Sequence, residues 1–161
     1  VAEALGRDDA DEMYLLGLMH NIGELFLLRV FGELFQKQSN QLLSMDEVLT
    51  MVRDYHTVFG EGLVRKWNLG DTFAYVTRYH HDLNEYADTS PEKKDDRIRM
   101  YIVNLANQLA LYAGCNYHKQ AMPGPSLPES YEVLEMPTEA RETLRDRSHT
   151  LFSEVMQGLP V

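Results

Sequence analysis

Cysteine is nearly absent: Cys115 is the only one in 161 residues, so no internal disulfide can form and no thiolate metal cluster can be assembled. Basic side chains are scarce as well, with 15 Lys and Arg against 25 Asp and Glu and a formal net charge of -10. A field of that sign repels phosphate backbones and anionic lipid surfaces, which argues against nucleic acid and membrane as partners. The densest basic group, Lys93, Lys94, Arg97 and Arg99, is interleaved with Glu92, Asp95 and Asp96. Its charges nearly cancel, and it reads as a solvated helix face. Long apolar runs are missing too. The longest candidate, Met13 to Phe35, is interrupted by His20, Asn21, Glu24, Arg29 and Glu33 and is too polar for a bilayer span. No basic-plus-apolar leader opens the chain, and a reducing cytoplasm is the expected compartment. The start at Val1, with no initiator methionine, leads to the expectation of a fragment or a processed product.

What is present is ordinary for a soluble globular protein: 44% hydrophobic and 25% charged residues, in a length that suits a single domain over 1–161. Strand-like alternation is rare and i, i+3, i+4 spacing recurs almost throughout, so the expected fold is an all-α, compact multi-helix bundle. A first helix is expected from about Asp9 to His20, with Asp8, Asp9 and Asp11 at its positive end. Gly23 marks a break before a second helix carrying Phe26, Leu27, Val30, Phe31 and Phe35. Ser44-Met45-Asp46-Glu47 has the form of a capping box and opens a third helix, and a fourth runs from about His56 to Trp67. Asn68-Leu69-Gly70 ends it, and a short fifth helix closes near His80-His81. After a polar loop from Asp82 to Ser90, Pro91 restarts a sixth helix that reaches about Tyr112 and is apolar on most sides, hence central. Pro123, Gly124, Pro125 and Pro128 mark an irregular connector. A last amphipathic helix, about 138–156, uses Ala140, Leu144, Leu151, Phe152 and Val155. Trp67, the only tryptophan, is expected as a buried anchor whose truncation costs on the order of 3–5 kcal/mol.

Four of the six histidines fall at expected helix ends or starts: His20, His56, His80 and His81. Any one of them alone reads as a capping or surface residue. Together they form a pattern. The segments are Leu15-Leu16-Gly17-Leu18-Met19-His20-Asn21-Ile22-Gly23, then His56-Thr57-Val58-Phe59-Gly60-Glu61-Gly62-Leu63-Val64-Arg65-Lys66-Trp67, then Tyr79-His80-His81-Asp82. They end on Ile102-Val103-Asn104-Leu105-Ala106-Asn107-Gln108-Leu109-Ala110. Over about residues 9–114 this resembles the HDOD family, the HD-related output domains of bacterial signalling proteins. The resemblance implies an all-helical relative of the HD and HD-GYP phosphohydrolases without a complete metal site, and a regulatory or protein-interaction role. It also implies that this chain is the later part of such a domain.

In the hydrolase relatives a His-Asp pair binds a divalent ion that polarises a phosphoryl oxygen and activates water. Here Asn21 stands where those relatives have aspartate, and Asn107 stands where a second carboxylate would be expected. Asn104 lies three residues earlier, on nearly the same helix face, where an ordinary structural asparagine is an equal reading. Replacing acids by amides removes charge compensation for a dication and removes a general base, although four imidazoles could still hold a softer ion such as zinc. Adjacent His80 and His81 would diverge by about 100° on a helix and need not enter one site. The expectation is therefore a vestigial metal or ligand pocket of His20, Asn21, His56, His80, His81, Asn104 and Asn107, with no catalytic residue, no resident metal and no cofactor. The corresponding function is a non-catalytic signalling module whose partner is another signalling protein or domain. A metal-dependent phosphohydrolase acting on a nucleotide or cyclic dinucleotide is the alternative, and a small-ligand sensor using the same pocket a third.

Overall fold

The computed structural model describes residues 1–37, 43–83, 93–114 and 127–158. Among these there are helices and no strand, as the periodicity requires. A short 3-10 turn, Glu3–Leu5, precedes α1 (Ala10–Met19), α2 (Ile22–Lys37), α3 (Met45–Lys66), α4 (Asp71–Tyr79), α5 (Lys94–Ala113), α6 (Leu127–Val133) and α7 (Thr138–Gly158).

Several boundaries follow local chemistry. Ser44 caps α3 with a complete capping box: its hydroxyl accepts from the Glu47 amide, and the Glu47 carboxylate accepts from the Ser44 amide. Gly70, at φ 101°, makes the left-handed step that starts α4. The expected third and fourth helices are one continuous helix, because nothing between Val52 and His56 breaks the hydrogen-bond ladder. Gly23 does not break the chain either. It lies inside α2, and the turn falls at His20-Asn21. Pro128 sits in the first turn of α6, where its missing N–H costs nothing, so part of the expected connector is helical. Cys115, Pro123, Gly124, Pro125 and the stretch from Asn84 to Glu92 lie outside the described residues.

α5 is central. Six consecutive residues, Met100 to Leu105, are buried, because α1, α4, α6 and α7 all pack around it. The main core joins Met13 and Leu16 of α1, Val76 of α4, the α5 residues, Tyr131, Leu134, Met136 and Leu144. A second cluster, Leu27, Val48 and Val52 backed by Phe31 and Phe35, holds α2 to α3. The basic group on α5 is not simply a solvated face. The Arg99 side chain, 17% exposed, pairs with Asp9 at 3.1 Å, Glu12 at 3.1 Å and Asp95 at 2.8 Å, tying α1 to α5. Arg7 adds a 2.6 Å contact to Asp9, and that hydrogen bond, with Arg99 behind it, holds the Asp9 carboxyl down at about 2.

Three apolar expectations are corrected. On α7 only Leu144 is buried, while Leu151 and Val155 face outward. The segment Ala10–Lys37 is, by length and composition, apolar enough to cross a membrane, although here it is two helices separated by the turn at His20-Asn21. Trp67 is not a buried anchor. It caps the C-terminus of α3 and is 50% exposed, because the chain turns away at Asn68 before the indole meets the core. Trp67→Ala is accordingly expected to cost about 1 kcal/mol or less, with red-shifted, readily quenched emission in the parent protein. A loss of stability near the ~3 kcal/mol of a buried aromatic, read by urea unfolding, would contradict that placement.

Candidate functional site

The four histidines converge where α1 ends, α3 passes and α4 ends. His20 is the residue after α1 and its amide donates to Leu16 at 2.9 Å; His80 is the residue after α4 and its amide donates to Val76 at 3.1 Å. His56 lies in the middle of α3 and is buried. His81 follows the helix end, so the 100° divergence of a regular helix does not apply. The turn closed by the Asp82 amide on the Tyr79 carbonyl lets both rings face inward, with centroids 4.0 Å apart. His20 meets His80 edge-on at 4.8 Å, and His56 lies 5.6 Å from His80 and 5.2 Å from His81.

Two glycines make this meeting possible. A Cβ on Gly23 would lie 2.0 Å from the His56 carbonyl oxygen and 2.5 Å from the Gly60 nitrogen. A Cβ on Gly60 would lie 2.6 Å from Thr77 Cγ2. The backbones of α2 and α3 thus touch at Gly23 and Gly60, with Thr77 of α4 against the same point. That contact lies three residues after His20, one turn after His56 and three residues before His80. The quoted motifs contain both glycines, but their spacing alone does not disclose that they touch.

Three imidazoles are oriented identically. Nδ1 of His20 donates to the Gly17 carbonyl (2.6 Å), that of His56 to Arg53 (2.8 Å) and that of His80 to Thr77 (3.0 Å). A carbonyl can only accept, so each Nδ1 carries the proton and, in the neutral ring, Nε2 carries the lone pair. Burial lowers the pKa of His20, partly offset by its bond to Gly17, and lowers that of His80 well below the ordinary value, with His81, His20 and His56 adding to the effect. Both rings are therefore neutral at neutral pH. Nε2 of His20 and of His80 and Oδ1 of Asn21 are buried without a hydrogen-bond partner among the described residues. The side-chain nitrogens of His56, His80 and His81 lie within 4.8 Å of one another, and no Asp or Glu oxygen joins that group among the described residues.

The two α5 asparagines separate. Asn104 is fully buried; its amide donates to the His80 carbonyl at 2.6 Å, and its oxygen accepts from Gln108 and, at 3.5 Å, from the Ser130 hydroxyl. Asn107 is half-buried and, among the described residues, has no hydrogen bond to the histidines. Glu24, in sequence only an interruption of an apolar run, is buried one turn after Asn21.

The HDOD domain family model matches residues 1–83, just over half of the chain. The chain belongs to the HDOD family. An HDOD domain is an HD-related, signalling-associated module. The match includes His20, His56, His80 and His81 and stops short of Asn104 and Asn107, so the amides on α5 stand on geometry alone. An uncharacterized protein of Treponema pallidum (strain Nichols) is 29% identical over 77 residues, which is 45% of this chain and 15% of that protein. The similarity thus spans a small part of a much longer relative. No solved structure matches the chain.

Proposed function

We propose that this HDOD domain is a non-catalytic regulatory module of a bacterial signalling protein, acting in the cytoplasm by binding another protein or domain. The observation that supports it is the composition of the pocket: imidazoles converge there, and among the described residues no carboxylate joins the His56, His80 and His81 group. Phosphoester hydrolysis by a metal site of this class needs negative charge to hold its ions, and neutral imidazoles supply none. The surface agrees with an interaction role. Leu18, Leu25, Phe26, Phe59 and Trp67 are exposed on α1 to α3, and Phe26 stacks on Phe59 at 6.1 Å.

The test is an assay of the purified domain, supplied with manganese, magnesium or ferrous ion, against bis-(p-nitrophenyl) phosphate and a cyclic dinucleotide. Turnover indistinguishable from that of His80→Ala is the expected result. Metal-dependent hydrolysis that disappears in His80→Ala would instead establish the phosphohydrolase.

A further inference from the structure

We infer that His56, His80 and His81, with His20 at the fourth side, form a carboxylate-free binding site for one borderline-soft divalent cation of the zinc class. The inference shares its residues with the regulatory reading but does not require that reading to hold.

The first argument is a surplus of acceptors. The bonds from Nδ1 to Gly17, Arg53 and Thr77 leave the lone pairs of three rings on Nε2. Those of His20 and His80, whose rings meet edge-on at 4.8 Å, are buried and have no donor among the described residues. Buried acceptors gathered at one point repel one another and cost free energy unless a donor or a Lewis acid stands between them.

The second argument is pre-orientation. A histidine that binds a metal through one nitrogen commonly donates its other N–H to a carbonyl, which fixes tautomer and ring direction. Three of the four rings here already have that partner. The nitrogens of His56, His80 and His81 lie within 4.8 Å of one another. Around a tetrahedral ion with bonds of ~2.0–2.1 Å they would be about 3.3 Å apart, so each ring needs to move inward by about an ångström at most.

The third argument selects the ion. Magnesium, calcium and manganese favour oxygen ligands and negative charge, whereas imidazole suits zinc, copper and nickel. A set of neutral nitrogens without a carboxylate excludes the first group and retains the second. The ligands come from the end of α1, the middle of α3 and the end of α4, so one ion would link three helices at the place where Gly23, Gly60 and Thr77 meet. Its effect is therefore on folding and rigidity.

The test uses the whole chain, stripped with chelator at neutral pH and titrated calorimetrically with zinc chloride or magnesium chloride, with thermal unfolding in parallel and cobalt(II) as a spectroscopic probe. One zinc per chain, a raised Tm with zinc and none with magnesium, and visible cobalt bands of tetrahedral type are expected. His56→Asn should lose more than the ~10–100-fold in affinity typical of removing an outer partner. If that variant does not fold, His81→Gln and the cobalt spectrum of the unaltered chain decide. No saturable zinc binding, an equal response to magnesium, or zinc heat without cobalt bands (binding at an exposed histidine such as His149) overturns the inference. Zinc binding with phosphoester turnover would sink the regulatory reading and leave this one standing, whereas absent binding with absent turnover would do the reverse.

Discussion

Gly23→Ala is expected to destabilise the domain by at least ~3 kcal/mol, at the upper end of what overpacking costs, or to abolish cooperative folding. The added carbon would lie 2.0 Å from the His56 carbonyl oxygen, 2.5 Å from the Gly60 nitrogen and 2.9 Å from its Cα. All three are backbone atoms, so no rotamer change relieves the clash and α2 must lift away from α3. Alanine is the better helix former by about 1 kcal/mol, which is too little to offset that separation. Gly62→Ala is the matched comparison. It lies in the same α3 helix with nothing within 4 Å of the added carbon, and it is expected to stabilise by ~0.5–1 kcal/mol. Urea midpoints for the two variants read the difference. An unchanged midpoint for Gly23→Ala would mean that α2 and α3 do not cross backbone to backbone.

Asn104→Leu is expected to cost about 3 kcal/mol, while Asn107→Leu costs under ~1 kcal/mol. Leucine keeps the branched outline at residue 104, in a larger side chain, but removes the donor to the His80 carbonyl and the acceptor for Gln108 and Ser130. Each lost bond is worth about 1 kcal/mol net, and a buried carbonyl left without a partner adds ~1–3 kcal/mol. The half-buried Asn107 side chain holds no such bond to the histidines. In the sequence, the resemblance to HDOD domains points to Asn107 instead. Equal losses for the two variants would restore that weighting; a large gap supports Asn104 as the residue that fixes the end of α4, and with it the direction of His80 and His81.

The contrast shows where sequence reading stops. Helical class, the capping box at Ser44 and the break at Asn68-Gly70 were legible because each is decided within one or two turns of chain. The merging of two expected helices into α3 was missed because a histidine motif beginning at residue 56 looked like a start, whereas no Gly, Pro or cap interrupts the ladder there. Trp67 was misplaced because apolar periodicity assigns a face and not a depth. At the last turn of a helix, the direction of the following residues decides whether a ring is covered. Leu151 and Val155 are exposed in the same way, since their periodicity assigned them a face and not a depth.

By itself the sequence determined an all-helical chain of HDOD type and the places of four histidines and of Asn21, Asn104 and Asn107 along it. These are properties of residue identity and short-range order. Only the tertiary structure decided that His56, His80 and His81 share one buried point with the His20 ring against His80, that His80 and His81 turn inward together, and that Asn104 is bonded to the His80 carbonyl. The physical reason is that those relations depend on the separation of helices far apart in sequence. That separation is set where Gly23 and Gly60 bring two backbones into contact, and no local propensity encodes it.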